Sequence, residues 1–360
     1  MPVLDPKALV EERVNAIREF HEEVGTDKAE IDVSGGVDSA VILGLLAKAL
    51  GPANITAVHS QINSDPVALA RAMEVADVFG VPLIKVDLSG IYADLVAHMT
   101  MALQVAGKAF DIDSNPAVLG SLRSCLRAPL GRGFNRMTGG GIRHGTGNEC
   151  EDRWARFYQK GGDGEVDTNP IAMLSKGEVY QLALALGVPK SIITAVPTPD
   201  LWGKGEEHND ESEYADYLGI DPKGHTFYSY IDPETGEYTK VGLIERVSRW
   251  LDENTFDDPS KGQPSVEEIL GSVLDDHPNP LRRNENRLFS KNASIPCHMA
   301  HWASSPAFRG VETELIGDLL DAARRVDART WHKFNPNCPA LGSREKLVQA
   351  GILTDELPDV

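Results

Sequence analysis

Six residues, Ser34-Gly35-Gly36-Val37-Asp38-Ser39, put two hydroxyls, two glycines and one carboxylate into a single tight run. AEIDV before it reads as a strand and AVILGLLAKAL after it as an apolar helix, so the run is a strand-to-helix turn. Such a turn is an anion cradle. The first N–H groups of the helix lack partners, and the positive end of its dipole points outward. Glycines let the backbone approach a phosphate closely, and the hydroxyls add donors. A carboxylate in that cradle calls for a cation, so Asp38 points to Mg²⁺ bridging to phosphate. A plain N-cap by Ser34 accounts for neither Gly-Gly nor Asp-Ser. A Walker A loop needs Gly-Lys-Ser/Thr and a dinucleotide fingerprint needs G-x-G-x-x-G; neither is present.

The elements that must hold this turn follow from periodicity. Val10, Val14, Ile17 and Phe20 recur at helical spacing in the first 25 residues. ANITAVHS is a second strand, and VPLIKVDLS is a third. Between them lies a helix, PVALARAMEVADVFG, with Leu69, Met73, Ala76 and Phe79 expected on its packed side. Strands alternating with helices predict βαβ units and an α/β fold with a doubly wound parallel sheet. Residues 111–150 are rich in Gly and Arg and show no assignable period. KGEVYQLALALGVP is a helix ended by Gly187 and Pro189. WGKGEEHNDESEYA, about 202–215, reads as a polar loop, mobile alone and ordered over a bound substrate. HTFYSYIDPETGEYTKV is a β-hairpin, and helices are expected near 241–252 and 311–326.

A second block carries further chemistry. Gly145-Thr146-Gly147-Asn148-Glu149-Cys150-Glu151 precedes Phe157-Tyr158-Gln159-Lys160-Gly161-Gly162-Asp163-Gly164, then Asp167, Asn169 and Pro170. Leu174-Ser175-Lys176 opens the next helix, and Pro197-Thr198-Pro199-Asp200-Leu201 follows it. SGG-x-DS resembles the pyrophosphate loop of the N-type ATP pyrophosphatases, the adenine nucleotide alpha hydrolase-like fold. The ordered series GT-x₄-E, F-x-x-K-x-GDG-x-x-D-x-x-P, L-x-K and PT-x-DL is similar to the ammonia-dependent NAD synthetases over about residues 5–220.

That resemblance implies roles. Ser34 to Ser39, Thr146, Lys176 and Thr198 would bind ATP. Asp38 and Glu151 would hold Mg²⁺ and, with Lys176, make the catalytic set. Arg127, Lys160 and Asp167 would contact deamido-NAD. The implied reaction amidates the nicotinate carboxylate through an acyl-adenylate, in a cytoplasmic homodimer with the dinucleotide at its interface. A related ligase for a different carboxylate, and a catalytically silent nucleotide-binding homologue, are the alternatives. Where the resembled family has an apolar strand before the GT motif, this sequence has MTGGGIRHGTG, poor in β-formers. Residues 221–360 form a divergent C-terminal extension on the 1–220 synthetase-like domain. About 30 residues precede the Ser34 loop, fewer than an amidase domain needs, so free ammonia is the expected nitrogen donor.

Composition narrows the classes. With 41% hydrophobic and 25% charged residues over 360, the chain is an ordinary globular one. Its net charge of −19 repels nucleic acid, and no apolar run is long enough to span a membrane. The N-terminus has no signal-peptide pattern. Four cysteines, Cys125, Cys150, Cys297 and Cys338, are too few for a disulfide scaffold and favour a reducing cytosol. Cys297, His298, His301, His332 and Cys338 match no standard zinc spacing. Between Asp113 and Glu149 there is no acid, but Arg123, Arg127, Arg132, Arg136 and Arg143 are present. This window is read as a local anion site.

Overall fold

The computed structural model describes residues 3–108, 110–111, 116–198, 209–253, 305–330 and 342–357. Its central sheet has four parallel strands: β1 (Ala29–Asp32), β2 (Ile55–Gln61), β3 (Leu83–Asp87) and β4 (Ile142–His144). Their order is β3-β2-β1-β4. The chain moves outward from β1 to β3 and then crosses back to the other side of β1. That reversal opens a crevice at the carboxyl ends of β1 and β4. Around the sheet lie α1 (Pro6–Val24), α2 (Val37–Leu50), α3 (Pro66–Phe79), α4 (Ser89–Val105), α5 (Pro116–Met137), α6 (Glu149–Asp152) and α7 (Lys176–Leu186).

The doubly wound α/β expectation therefore holds, with local differences. In α3 the buried residues are Ala72, Val75 and Ala76, while Met73 is 40% exposed. Small residues let this helix approach the sheet, so the packed stripe is one residue off the expected one. The unassigned stretch contains a helix of 22 residues, α5. Its Leu119, Leu122, Leu126 and Leu130 pack on Ile62, Leu88 and Tyr92. The Gly-rich MTGGGIRHGTG supplies β4 after all, because its polar side chains are neutralised from the neighbouring strand, as described below.

Beyond α7 the described chain forms α8 (Lys190–Ile193), α9 (Asp210–Leu218), the antiparallel pair β5 (Tyr230–Ile231) and β6 (Tyr238–Lys240), α10 (Leu243–Glu253), α11 (Thr313–Thr330) and α12 (Arg344–Gln349). The hairpin and the helices α10 and α11 are as expected. Half of the expected 202–215 loop is instead α9, capped by Asn209 and anchored by buried Tyr214 and Leu218. Residues 202–208 lie outside the described residues, as do Cys297, His298, His301, His332 and Cys338.

Two apolar cores result. The first joins α1, α2, α3, α7 and α8 to the sheet. The second gathers Cys150 and Trp154 next to α9, α10 and α11, with Trp250, Phe227, Phe308 and Leu319 fully or almost fully buried. No described helix is long and apolar enough to cross a membrane.

Candidate active site

The Ser34–Ser39 turn opens into a cavity of about 480 Å³ at the carboxyl ends of β1, β2 and β4. Gly35 has φ +91°, and a Cβ there would stand 2.4 Å from the Ala68 carbonyl oxygen, so only glycine fits. The two serines brace the turn. Ser39 Oγ accepts from the Ser34 N–H at 3.2 Å and lies 3.0 Å from Ser34 Oγ, which accepts from the Gly36 N–H at 3.2 Å. The N-cap of α2 is Gly36, which provides no side-chain cap, so the helix dipole faces the cavity.

Three charged groups converge beside the turn. Lys176 Nζ donates to Asp38 Oδ2 at 2.6 Å and to Glu151 Oε1 at 3.2 Å. The Asn148 amide donates to the other Asp38 oxygen at 3.0 Å. Lys176 is nearly fully buried, and its ammonium also lies 5.2 Å from the Tyr228 ring centroid. Burial alone lowers the pKa of Lys176, but the Asp38 and Glu151 carboxylates hold it well above its ordinary value. Burial, seconded by nearby Asp38, pushes Glu151 up despite Lys176. Asp210, at the start of α9, is raised by burial to about 7 in the same cavity.

Because Asp38 and Glu151 already share one cation, their hard oxygens fit a divalent ion between them. Among the described residues no group of three or more His, Cys, Asp or Glu is arranged for a metal.

Two residues of the cavity lining, Asp32 and His144, have polar partners behind them. Arg143 on β4 donates from Nη1 to both oxygens of its cross-strand neighbour Glu30, at 3.0 and 2.9 Å, and from Nη2 to Asp32 at 2.5 Å. Burial and nearby Asp32 raise Glu30 to about 8 against the pull of Arg143. His144 stacks on His21 with Nε2 atoms 3.0 Å apart, and burial lowers its pKa to about 3. These pairings let a strand carrying Arg and His stay inside the fold.

The residues expected from sequence divide in two. The whole Ser34–Ser39 run, Arg127, Thr146, Glu151, Lys176 and Thr198 line the cavity. Lys160 is exposed and lies outside that lining. Asp167 also lies outside it; its carboxylate accepts from Arg132 Nη1 at 2.9 Å and from the Arg143 N–H at 2.8 Å. The acid-free window is likewise mostly spoken for. Arg132 and Arg143 meet acids from elsewhere in the chain, Arg123 lies over Tyr92, and of the five only Arg127 lines the cavity. Sequence reading missed Asn148, Asp210 and Tyr228. Asn148 sits inside the quoted GTGNECE block, but Asp210 and Tyr228 carry no local signal.

The family model described as NAD synthase matches residues 9–237, more than half of the chain. The chain belongs to the NAD synthase family. Among its relatives, the NH(3)-dependent NAD(+) synthetase of Methanosarcina acetivorans is 31% identical over 215 residues, covering 58% of this chain and 77% of that protein. The one from Halobacterium salinarum is 32% identical over 227 residues, covering 63% of this chain and 76% of the relative. The solved NMN synthetase of Francisella tularensis superposes with a TM-score of 0.54 over 74% of this chain and 92% of that one. At 21% identity it shows a shared fold. The family match ends at residue 237, before α10 begins.

Proposed function

We propose that the protein is an ammonia-dependent NAD synthetase. It joins ammonia to the nicotinate carboxylate of deamido-NAD at the expense of ATP, giving NAD, AMP and pyrophosphate. The observation that carries this reading is the Asp38–Lys176–Glu151 cluster beside an uncapped helix N-terminus, in a family whose relatives are named for this activity.

In this reading Ser34, Gly35, Gly36, Val37 and Ser39 receive the ATP phosphates, and Thr146 and Thr198 border the nucleotide. Asp38 and Glu151 hold Mg²⁺, which would offset the negative charge of the phosphates. Lys176 offers a fixed, desolvated ammonium to the charge that grows on the leaving pyrophosphate. Arg127, one of the cations that line the cavity, receives the carboxylate-bearing substrate. Its carboxylate oxygen attacks the α-phosphorus and pyrophosphate departs. Ammonia then attacks the acyl carbon, and AMP leaves with the transferred oxygen.

Exposed Lys160 and the half-exposed Asp167 contact the distal part of the dinucleotide, outside the cavity. A homodimer fits the surface of α4, where Ile91, Met99, Met101 and Val105 are exposed and only Tyr92 is buried. Incubation with ATP, Mg²⁺ and ammonium, and with deamido-NAD or nicotinate mononucleotide as acceptor, tests the reading. NAD and AMP in equal amounts from deamido-NAD are expected. Turnover with the mononucleotide alone, or with neither, refutes it.

A further inference from the structure

Within the family match, α7 packs on α1 and α2 in the first core, and the Glu149 N–H at the start of α6 donates to the Leu174 carbonyl at 2.8 Å, just before α7. Helix α6, which carries Glu151, has four residues, and Lys176 is the first residue of α7. Residues beyond the family match add further ties to both helix starts. On α10, Glu245 accepts from the Ser175 hydroxyl at 2.7 Å, at the residue preceding Lys176. One turn further along the same helix, Arg249 donates to Glu149, the first residue of α6, at 2.7 Å. Helix α12 completes the arrangement. Arg344 grips Glu178 with both guanidinium nitrogens, at 2.7 and 2.8 Å, while Glu178 accepts from the Ser175 N–H at 2.8 Å. Asp355 closes the chain of charges, 3.1 Å from Arg344 Nε and 3.5 Å from Arg249 Nη1.

The order is therefore Glu149–Arg249–Asp355–Arg344–Glu178. Glu149, Arg249 and Glu178 are buried, whereas Asp355 is 56% exposed. Both anchors are firm. Arg249 rides on the helix that places Leu243, Ile244, Val247 and Trp250 in the second core. The segment around α12 inserts Leu347 and Leu353 into the first core and pairs Val3 with Leu353. A buried bidentate Arg–Glu pair fixes direction as well as distance, which a lone surface pair does not.

We propose that Arg344 and Asp355 are positioning residues: with Arg249 they clasp the start of α6 to the start of α7 and so set the spacing of Glu151 and Lys176. Nothing in the clasp touches the cavity, and it acts through the two helix starts. The C-terminal segment is thereby part of the active-site frame. The inference rests on the proposed roles of Glu151 and Lys176 in binding ATP with Mg²⁺.

The test compares Arg344→Gln, Arg344→Lys and Asp355→Ala with Glu345→Gln, an exposed change on the same helix. Equilibrium binding of ATP in the presence of Mg²⁺, without dinucleotide, is measured together with thermal unfolding and steady-state kinetics. Arg344→Gln is expected to weaken ATP binding about tenfold and to raise KM for ATP in step, with KM for deamido-NAD within twofold. Arg344→Lys recovers part of the loss, because it restores charge without the two-pronged geometry. Asp355→Ala is expected to weaken ATP binding about threefold with an unchanged melting temperature, and Glu345→Gln changes nothing.

A lowered melting temperature with unchanged ATP binding in Arg344→Gln overturns the proposal. Should that variant fail to fold, Asp355→Ala decides, since its side chain is largely in solvent; unchanged ATP binding there overturns the proposal too. A chain that binds ATP with the expected variant pattern but makes no NAD refutes the functional reading and leaves the clasp standing.

Discussion

The two cores of this protein are built in different ways, and the candidate active site lies on the seam between them. The first core grows from a repeating pattern of apolar residues, Val10, Val14 and Ile17 on α1 or Ala40, Leu43 and Leu46 on α2, packed on a parallel sheet. It delivers Asp38 and Lys176. The second core collects distant pieces, Trp154, Tyr214, Phe227, Trp250 and Leu319, and seals them with buried polar contacts such as Tyr214 Oη to the Cys150 carbonyl at 3.3 Å. It steadies Glu151. A site divided in this way responds to damage in either core, but not in the same manner.

The largest contrast is expected from core truncations. Trp250→Ala empties the centre of the second core and should cost about 3–5 kcal/mol in denaturant unfolding. Ile17→Ala in the first core should cost about 2–5 kcal/mol. Among molecules that remain folded, Trp250→Ala should also weaken ATP binding in the presence of Mg²⁺, whereas Ile17→Ala should not, because Trp250 shares α10 with Arg249, which holds Glu149 at the start of α6. Equal loss of ATP affinity in both variants breaks the comparison.

Next in size, Lys176→Met should lower turnover by about 10²–10³-fold, as loss of a preorganised charge-stabilising donor does. It leaves Asp38 and Glu151 facing each other without their shared cation. Glu151→Gln should lower turnover by a similar factor while the circular dichroism spectrum stays unchanged. A large drop in one variant and none in the other would assign the chemistry to a single core.

A smaller effect follows from the buried histidine pair. His144 has a folded pKa of about 3 against an ordinary value of 6.5, lowered chiefly by its burial and next by neighbouring His21. Between those values the unfolded chain binds the proton and the folded chain does not. The stability involved is present above pH 6.5 and is lost as pH falls toward 3. From pH 6.5 to 5 the wild type should lose about 2 kcal/mol more than His144→Leu, at about 1.36 kcal/mol per unit of pH. Parallel stability curves for the two proteins would contradict a neutral, buried His144. Smallest of all, Asp65→Ala should cost about 1 kcal/mol, since Asp65 caps α3 through the Val67 N–H at 2.9 Å.

The same division explains what the sequence revealed. The sheet, α1, α2, α7 and the Ser34–Ser39 cradle were legible because period and turn chemistry are local properties. So were Asp38, Glu151 and Lys176, which sit in spaced motifs. Strand β4 was not, because Arg143 is made tolerable by Glu30, 113 residues away. Helix α9 was hidden by its charged residues, since its buried face depends on Tyr214 meeting Phe157, Phe227 and Tyr228. Asp210 and Tyr228 reach the cavity only through that assembly. Lys160 and Asp167, plain in the motif, lie outside the cavity lining, which pattern matching alone does not disclose.

The central claim is that a carboxylate is adenylated in the cavity framed by Asp38, Glu151 and Lys176. Deamido-NAD labelled with ¹⁸O in its nicotinate carboxylate tests it most directly. After turnover with ATP, Mg²⁺ and ammonium, mass spectrometry should find one ¹⁸O in the phosphate of AMP and none in pyrophosphate. Unlabelled AMP, or label appearing in inorganic phosphate beside ADP, would contradict the account.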